Sequence, residues 1–191
     1  QFDKPMFFSV NLASGIGESF LFGGLMGRSY IAEFRKIGNA VQLIARNERF
    51  FAQPSTPEAV AVAEAFSDSL IASGPTVSQP HPERKSVLVE ANALFLNDLP
   101  GAAMRLEQSY RQSYAFDSRN SYFGPLRSKP TFISLNVTAH YTLSRVATPG
   151  VGQPATEPPS TVPDIRSLFL GFHYSLAKLP DTPMPSRVAD N

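Results

Sequence analysis

The chain of 191 residues contains no cysteine and only three histidines. Without cysteine it can form neither disulfides nor thiolate metal sites. The absence leaves the cellular compartment open, because extracytoplasmic bacterial proteins often lack cysteine. The scarcity of histidine leaves few side chains that could bind a transition metal.

Neither sign of charge dominates, since 17 Lys and Arg face 16 Asp and Glu for a net charge of +1. This balance gives no global attraction to nucleic acid or to an anionic membrane, and we expect neither as a partner. No apolar run approaches the roughly 18 to 20 residues that span a bilayer. No signal peptide is visible, so we expect any export signal to have been removed before Gln1.

With 42% hydrophobic residues the chain has enough apolar material for a core. The clearest local pattern is a hairpin, Ser29–Ile37 and Ala40–Phe51, joined by Gly38-Asn39 as a two-residue turn. Placing Ile37 opposite Ala40 sorts nearly all apolar residues onto one face. This register predicts Phe34 and Leu43 in the core.

The remaining elements follow from similar patterns. Ser55-Thr56-Pro57-Glu58 predicts the start of a helix that runs to Ile71 and ends at Ser73-Gly74-Pro75. Asp98 predicts the cap of a short helix over Leu99–Tyr110. Strands are expected at 6–12, 87–96, 114–123, 131–145 and 166–179, with loops at 125–130 and 147–163.

The absence of regular β-α alternation predicts an α+β fold built on a largely antiparallel sheet with one or two helices. We expect one domain over residues 1–179, with a Pro-rich loop at 147–163 inside it. Residues 180–191 carry Pro180, Pro183 and Pro185 and are expected to form an extended linker toward a further domain. Asp190 is a candidate to approach a partner's metal.

The histidines His81, His140 and His173 do not have the spacing of a zinc peptidase, which needs two His four residues apart on a helix. We therefore expect no catalytic, cofactor-binding or metal-binding residue in this chain. His140 and His173 fall in predicted strands, where they could meet across neighbouring strands, although ordinary sheet histidines are the favoured interpretation.

Other motifs are weak. Ser175-Leu176-Ala177-Lys178 matches Ser-x-x-Lys but lies in a predicted strand, where the chemistry of that motif fails. Gly15-Ile16-Gly17 lacks the third glycine of a dinucleotide fingerprint.

Glu90, in an apparently buried strand, is expected to need a partner. Residues 105–129 interleave arginines with aromatics, as in a half-buried sheet or a stacking surface.

Several segments together resemble the amino-terminal region of bacterial exported zinc metallopeptidases of the His-Glu-x-x-His type. The segments that carry the resemblance are Phe2–Ser9, Ser14–Gly17, the hairpin Tyr30–Phe51, Tyr114–Ser121 and Phe172–Leu176 with Leu179-Pro180-Asp181. The chain departs from the pattern at Phe172, which replaces one His of a closing pair.

The resemblance implies a non-catalytic domain that packs on, masks or assists a downstream peptidase domain. It implies a periplasmic or secreted location, zinc in that absent domain and none in this chain, and protein or peptide as a further partner. The alternative is a free-standing extracytoplasmic binding module that uses an Arg/aromatic sheet face. A self-sufficient hydrolase would need an acid, a base and a nucleophile in one cleft, and no such set is recognisable in the sequence.

Overall fold

The computed structural model describes residues 2–151 and 157–182, which form seven strands and three short helices. The strands are β1 (Met6–Ser14), β2 (Ser29–Ile37), β3 (Ala40–Ala45), β4 (Ser69–Pro75), β5 (Ala115–Lys129), β6 (Phe132–Thr142) and β7 (Ser167–Lys178). The helices are α1 (Pro57–Ala65), α2 (Ala91–Phe95) and α3 (Ala102–Tyr110). The predicted α+β class is confirmed, with three short helices where one or two were expected.

The strands join one sheet in the order β4-β3-β2-β1-β7-β6-β5, and every neighbouring pair is antiparallel. The centre of the sheet is the pairing of β1 with β7, where Met6 lies opposite Lys178 and Leu12 opposite Phe172. Within the described residues, the first strand thus pairs with the last. The sheet is complete only when these distant segments have met, which is slow because loop-closure entropy opposes it.

The predicted β2–β3 hairpin is confirmed, with Ile37 opposite Ala40 and Phe34 opposite Leu43. Gly38 has a φ of 55°, a conformation that glycine adopts at little cost in this type of turn. Leu43 is fully buried, whereas Phe34 is only partly buried at the margin of the core. The second strand ends at Ala45 and not at Phe51, as the sequence pattern had suggested.

The helix predicted to reach Ile71 is wrong in its second half. Thr56, and not Ser55, caps α1, accepting the Ala59 N–H at 3.3 Å, and the helix ends at Ala65. Residues Ser69–Pro75 instead form β4 against β3. Strand pairing is favoured over a longer helix because β3 would otherwise expose its backbone groups at the edge of the sheet. Helix α1, in contrast, buries none of its residues.

Gly74 is not the predicted left-handed helix cap. A Cβ atom at Gly74 would lie 3.2 Å from the Leu94 Cγ and 3.1 Å from the Glu90 carbonyl oxygen. The missing side chain therefore lets α2 pack closely on β4.

The central strand predicted at Val87–Leu96 is also wrong. Only Val89 pairs, as an isolated bridge to Thr76, and the chain then turns into α2, which buries Leu94. The segment looked buried on both faces because it crosses the core face of the sheet, with Leu94 inward and Leu88 67% exposed. Glu90 is exposed at the start of α2, so the expected buried carboxylate is absent there.

The loop predicted at 125–130 is shorter than expected, because β5 continues to Lys129 and turns at Pro130-Thr131. β5 is an edge strand, where the missing N–H of Pro125 removes no necessary hydrogen bond.

The strand predicted at 166–179 is confirmed as β7. Residues 147–151 and 157–163 contain no strand or helix, while residues 152–156 and the linker residues 183–191, including Asp190, lie outside the described residues.

One face of the sheet carries the core. In β7 the buried side chains alternate with exposed ones, and those on the core face are Leu168, Leu170, Phe172, Tyr174 and Leu176. Helix α3 covers this face with Leu106, which is fully buried, and the loop of residues 15–27 adds Leu21. We call this covered half of the core face the closed end.

Asp98 fixes α3 to the closed end. Its Oδ1 accepts the Ala102 N–H and the Tyr141 O–H, both at 2.7 Å, and its Oδ2 accepts the Ala103 N–H at 3.0 Å. The predicted cap is confirmed only in part, because Asp98 accepts the first two helix N–H groups while Gly101 occupies the N-cap position and the helix begins at Ala102, not at Leu99. Burial, together with Asp98, raises the pKa of Tyr141, so its hydroxyl remains a donor at neutral pH.

Candidate functional site

The three histidines lie apart from one another in the structure. His81 closes a turn, where its Nδ1 accepts the N–H groups of Glu83 and Arg84 at 3.3 and 3.2 Å. His173 pairs with Asn136, 2.6 Å from Nδ1 to the side-chain oxygen. His140 lies opposite Phe169 and not opposite His173, so the predicted possibility that His140 and His173 meet is wrong.

His140 instead joins two other side chains on the face of the sheet that points away from the core. Its Nδ1 lies 2.9 Å from Asp117 Oδ2, and its Nε2 lies 2.8 Å from Ser167 Oγ. Asp117 belongs to β5, His140 to β6 and Ser167 to β7, which are three adjacent strands. We call this set the Asp117–His140–Ser167 array.

An irregularity in β5 directs Asp117 toward His140. The register shifts between Asp117 and Tyr122, so several residues of β5 bulge out of the ladder. Ser121 stabilises the bulge, because its hydroxyl donates to the Asp117 carbonyl at 2.7 Å and accepts the His140 N–H at 2.9 Å. Bulges of this kind re-aim side chains, and here the bulge brings a carboxylate to an imidazole.

Asp117 is held as a carboxylate. Asn120 donates to its Oδ2 at 2.6 Å, and the Arg119 N–H donates to its Oδ1 at 3.1 Å. The hydrogen bonds from Asn120 and His140 lower the pKa of Asp117 to about 2. At neutral pH the group is therefore ionised and can only accept hydrogen bonds.

The array differs in exposure from one member to the next. The imidazole of His140 is 11% exposed, and the ring of Phe169 lies against it with 4.7 Å between the ring centroids. Ser167, at the start of β7, is exposed to solvent. The sequence places His140 in a predicted strand but gives no signal that it meets Asp117 or Ser167, because only the register of three strands brings these side chains together.

The other sequence motifs do not form sites. Ser175 and Lys178 are three residues apart on β7, so they point to opposite faces of the sheet. No helix follows Gly15-Ile16-Gly17, because residues 15–28 contain none. Among the residues that the structure describes, no three His, Asp or Glu side chains lie close enough to hold a metal ion.

In the Arg/aromatic segment, residues 105–129, most aromatic side chains lie in the core or pack against it. Tyr110 and Tyr114 are buried, and Phe116 and Phe123 pack against the core. Only Tyr122 of this group is largely exposed, at 58%. The segment therefore matches a half-buried sheet, and within residues 105–129 the stacking surface needed by the alternative binding module is limited to the ring of Tyr122.

A second feature lies on the core face, at the end where β1 begins. Here the covering elements stop short, and the apolar side chains of Met6, Phe34, Leu126, Ile133 and Leu176 border open space. Leu126 is 62% exposed and Ile133 is 42% exposed, although both point to the core face. We call these five residues and the grooves beside them the open end.

The open end contains two grooves that share Phe34. One has a volume of about 510 Å³ and is bordered by Arg84 and Lys85. The other has a volume of about 550 Å³ and is bordered by Lys4, Lys129 and Lys178. No Asp or Glu lines either groove within the described residues, so the open end combines apolar surface with positive charge.

A family model described as a domain of unknown function, DUF5117, matches residues 24–191, and the chain belongs to this family. No curated protein and no solved structure gives a significant match. In the described part of the chain, no helix is long and apolar enough to cross a membrane.

Proposed function

We propose that this member of the DUF5117 family is a non-catalytic domain of an exported bacterial zinc metallopeptidase, and that it binds the peptidase domain through its open end. The zinc and its ligands would then belong to the peptidase domain. The location would be the periplasm or the cell exterior. The resemblance of Tyr30–Phe51 and Phe172–Asp181 to such enzymes supports the peptidase part of the proposal.

The observation that carries the binding part is the incomplete cover of the core face. A sheet buries its apolar face against another layer, because exposed apolar area costs roughly 25 cal/mol per Å². The closed end has such a layer in α3, but Leu126 and Ile133 have none. Contiguous exposed apolar surface of this kind is typical of a protein interaction site.

Charge favours a partner surface that is acidic as well as apolar. Lys4, Arg84, Lys85 and Lys129 border the grooves, and the fifth cation, Lys178, is paired with Asp181 at 2.9 Å. A complementary acidic rim would increase the association rate and fix the orientation of the two domains. We therefore expect binding to weaken as the salt concentration rises.

The first test is the full reading frame, which must encode a His-Glu-x-x-His motif outside these residues. The second is titration of this chain with the purified peptidase region by calorimetry. Leu126→Ser should weaken binding at least about tenfold, because it places a polar group in the exposed apolar surface of the open end. Leu70→Ser is the matched control, since Leu70 is 58% exposed on the other edge strand.

Charge reversal gives an independent measurement. Lys129→Glu should weaken binding and reduce its dependence on salt, whereas Arg145→Glu, beyond the far end of β6, should change neither. A reading frame without the motif would refute the assignment to a peptidase. Binding that responds equally to Leu126→Ser and Leu70→Ser would refute the open end as the contact surface.

A further inference from the structure

We propose that Ser167 is a nucleophile that accepts acyl groups from esters, with His140 as its general base and Asp117 as the positioning residue. This inference goes beyond the proposed function, in which the chain is non-catalytic only with respect to zinc-dependent peptide hydrolysis, and it does not depend on the open end. It rests on the arrangement of the three side chains, which meet on the outer face of the sheet at the end opposite the open end.

The hydrogen-bond directions follow from the chemistry of the three groups. The Asp117 carboxylate can only accept, so the Nδ1 of a neutral His140 carries the proton and donates to it. The Nε2 atom of that tautomer has a free lone pair, which faces the Ser167 hydroxyl at 2.8 Å. The serine therefore donates to a base that a third group orients, which is the arrangement that activates serine nucleophiles.

The surroundings leave the nucleophile accessible and shield the base. Ser167 is exposed, whereas His140 is buried beneath the ring of Phe169. The exposed parts of Phe169 (52%) and Tyr122 (58%) offer apolar contact on the same face of the sheet. An ester with a small or flexible apolar acyl group fits this open surface, because it needs no deep pocket to reach Ser167.

The reaction is balanced without any further reagent. Ser167 Oγ attacks the carbonyl carbon of the ester while its proton passes to His140 Nε2. The bond from carbon to the leaving alcohol oxygen then breaks, and His140 returns the proton to that alcohol. Water, deprotonated by the same nitrogen, releases the carboxylic acid and restores the Ser167 hydroxyl.

The experiment treats the full chain with a fluorophosphonate probe and with p-nitrophenyl acetate, and measures intact mass and p-nitrophenol release. We expect one adduct, on Ser167, and its complete loss in Ser167→Ala. Ser175→Ala is the matched control, because Ser175 lies on the same face of the same strand and should retain full labelling. Ser167 is exposed, so Ser167→Ala should remain folded.

The roles of the other two residues have their own measurements. His140→Gly should lower the labelling rate at least about a hundredfold, and added imidazole should restore part of it. Asp117→Ala should lower the rate at least about tenfold, with partial rescue by formate, which a merely structural role would not give. Absence of labelling in the wild-type chain, or equal labelling of Ser167→Ala, would overturn the proposal and leave the array as a link between strand ends.

Discussion

The closed and open ends of the core face are built from the same sheet and differ only in what covers them. At the closed end Leu106 of α3 is fully buried, and Asp98 ties the helix to Tyr141. At the open end Leu126 and Ile133 point to the same face but remain exposed, and Ile133 lines a groove with cationic borders. Burial makes the closed end a source of stability, while exposure leaves the open end free for the proposed contact.

The largest expected effect contrasts two leucines. Leu106→Ala should lower the free energy of unfolding by about 3 kcal/mol or more, because it leaves a cavity in a packed core. Leu126→Ala removes the same atoms at the open end and should cost less than about 0.5 kcal/mol. Denaturant titration of both variants measures the difference. Equal losses would show that the open end is covered in solution.

A smaller effect is expected from the anchor of α3. Asp98→Ala should cost about 2 kcal/mol, because two helix N–H groups and the buried Tyr141 hydroxyl lose their acceptor. Adding Tyr141→Phe should cost less than it does in the wild-type background, because the unpaired hydroxyl is then gone. Thermal unfolding of the four proteins forms the double-mutant cycle. Additive losses would contradict a direct link between the two side chains.

The smallest effect is a loss of stability in acid that follows from the protonation of Asp117. Within the described residues, no Asp or Glu lines the open-end grooves that could give the same response. The pKa of Asp117 falls from an ordinary value near 3.8 to about 2 in the folded chain. Its stabilising contribution is therefore present above about pH 4 and is lost as the pH falls toward 2. The stability difference between wild type and Asp117→Asn should shrink over that interval.

Asn120→Ala is the control for this acid response. Asn120 provides the largest lowering of the Asp117 pKa, so its removal should move the loss of stability to higher pH. Urea unfolding at several pH values between about 2 and 6 measures both curves. A difference between wild type and Asp117→Asn that is independent of pH would contradict the assignment.

Local patterns predicted the elements whose partners are neighbours in sequence. The Gly38-Asn39 turn fixed the β2–β3 register, because a two-residue loop allows only a few strand pairings. Asp98 located the start of α3 to within one turn, because its carboxylate accepts the first N–H groups of the helix. Alternating apolar residues likewise predicted strand β7.

The secondary-structure predictions were wrong where contact with a distant segment determines the local structure. The helical apolar pattern continues to Ile71 and Ser73-Gly74-Pro75 resembles a helix end, yet Ser69–Pro75 forms β4 because β3 needs a partner at its edge. Residues Val87–Leu96 look like a central strand, yet they cross the core face and turn into α2. In both segments pairing or packing against another part of the chain outweighed local preference, which is worth less than about 1 kcal/mol per residue.

The sequence by itself determined the α+β class, the absence of thiol chemistry and the β2–β3 hairpin, because composition and short-range spacing are sufficient for these. Only the tertiary structure decided which residues meet from far apart. Ser167 reaches His140 through the pairing of β6 with β7, and Asp117 reaches it through a bulge in β5. The open end likewise exists because α2 and α3 cover only part of one face, and no local pattern encodes where that cover stops.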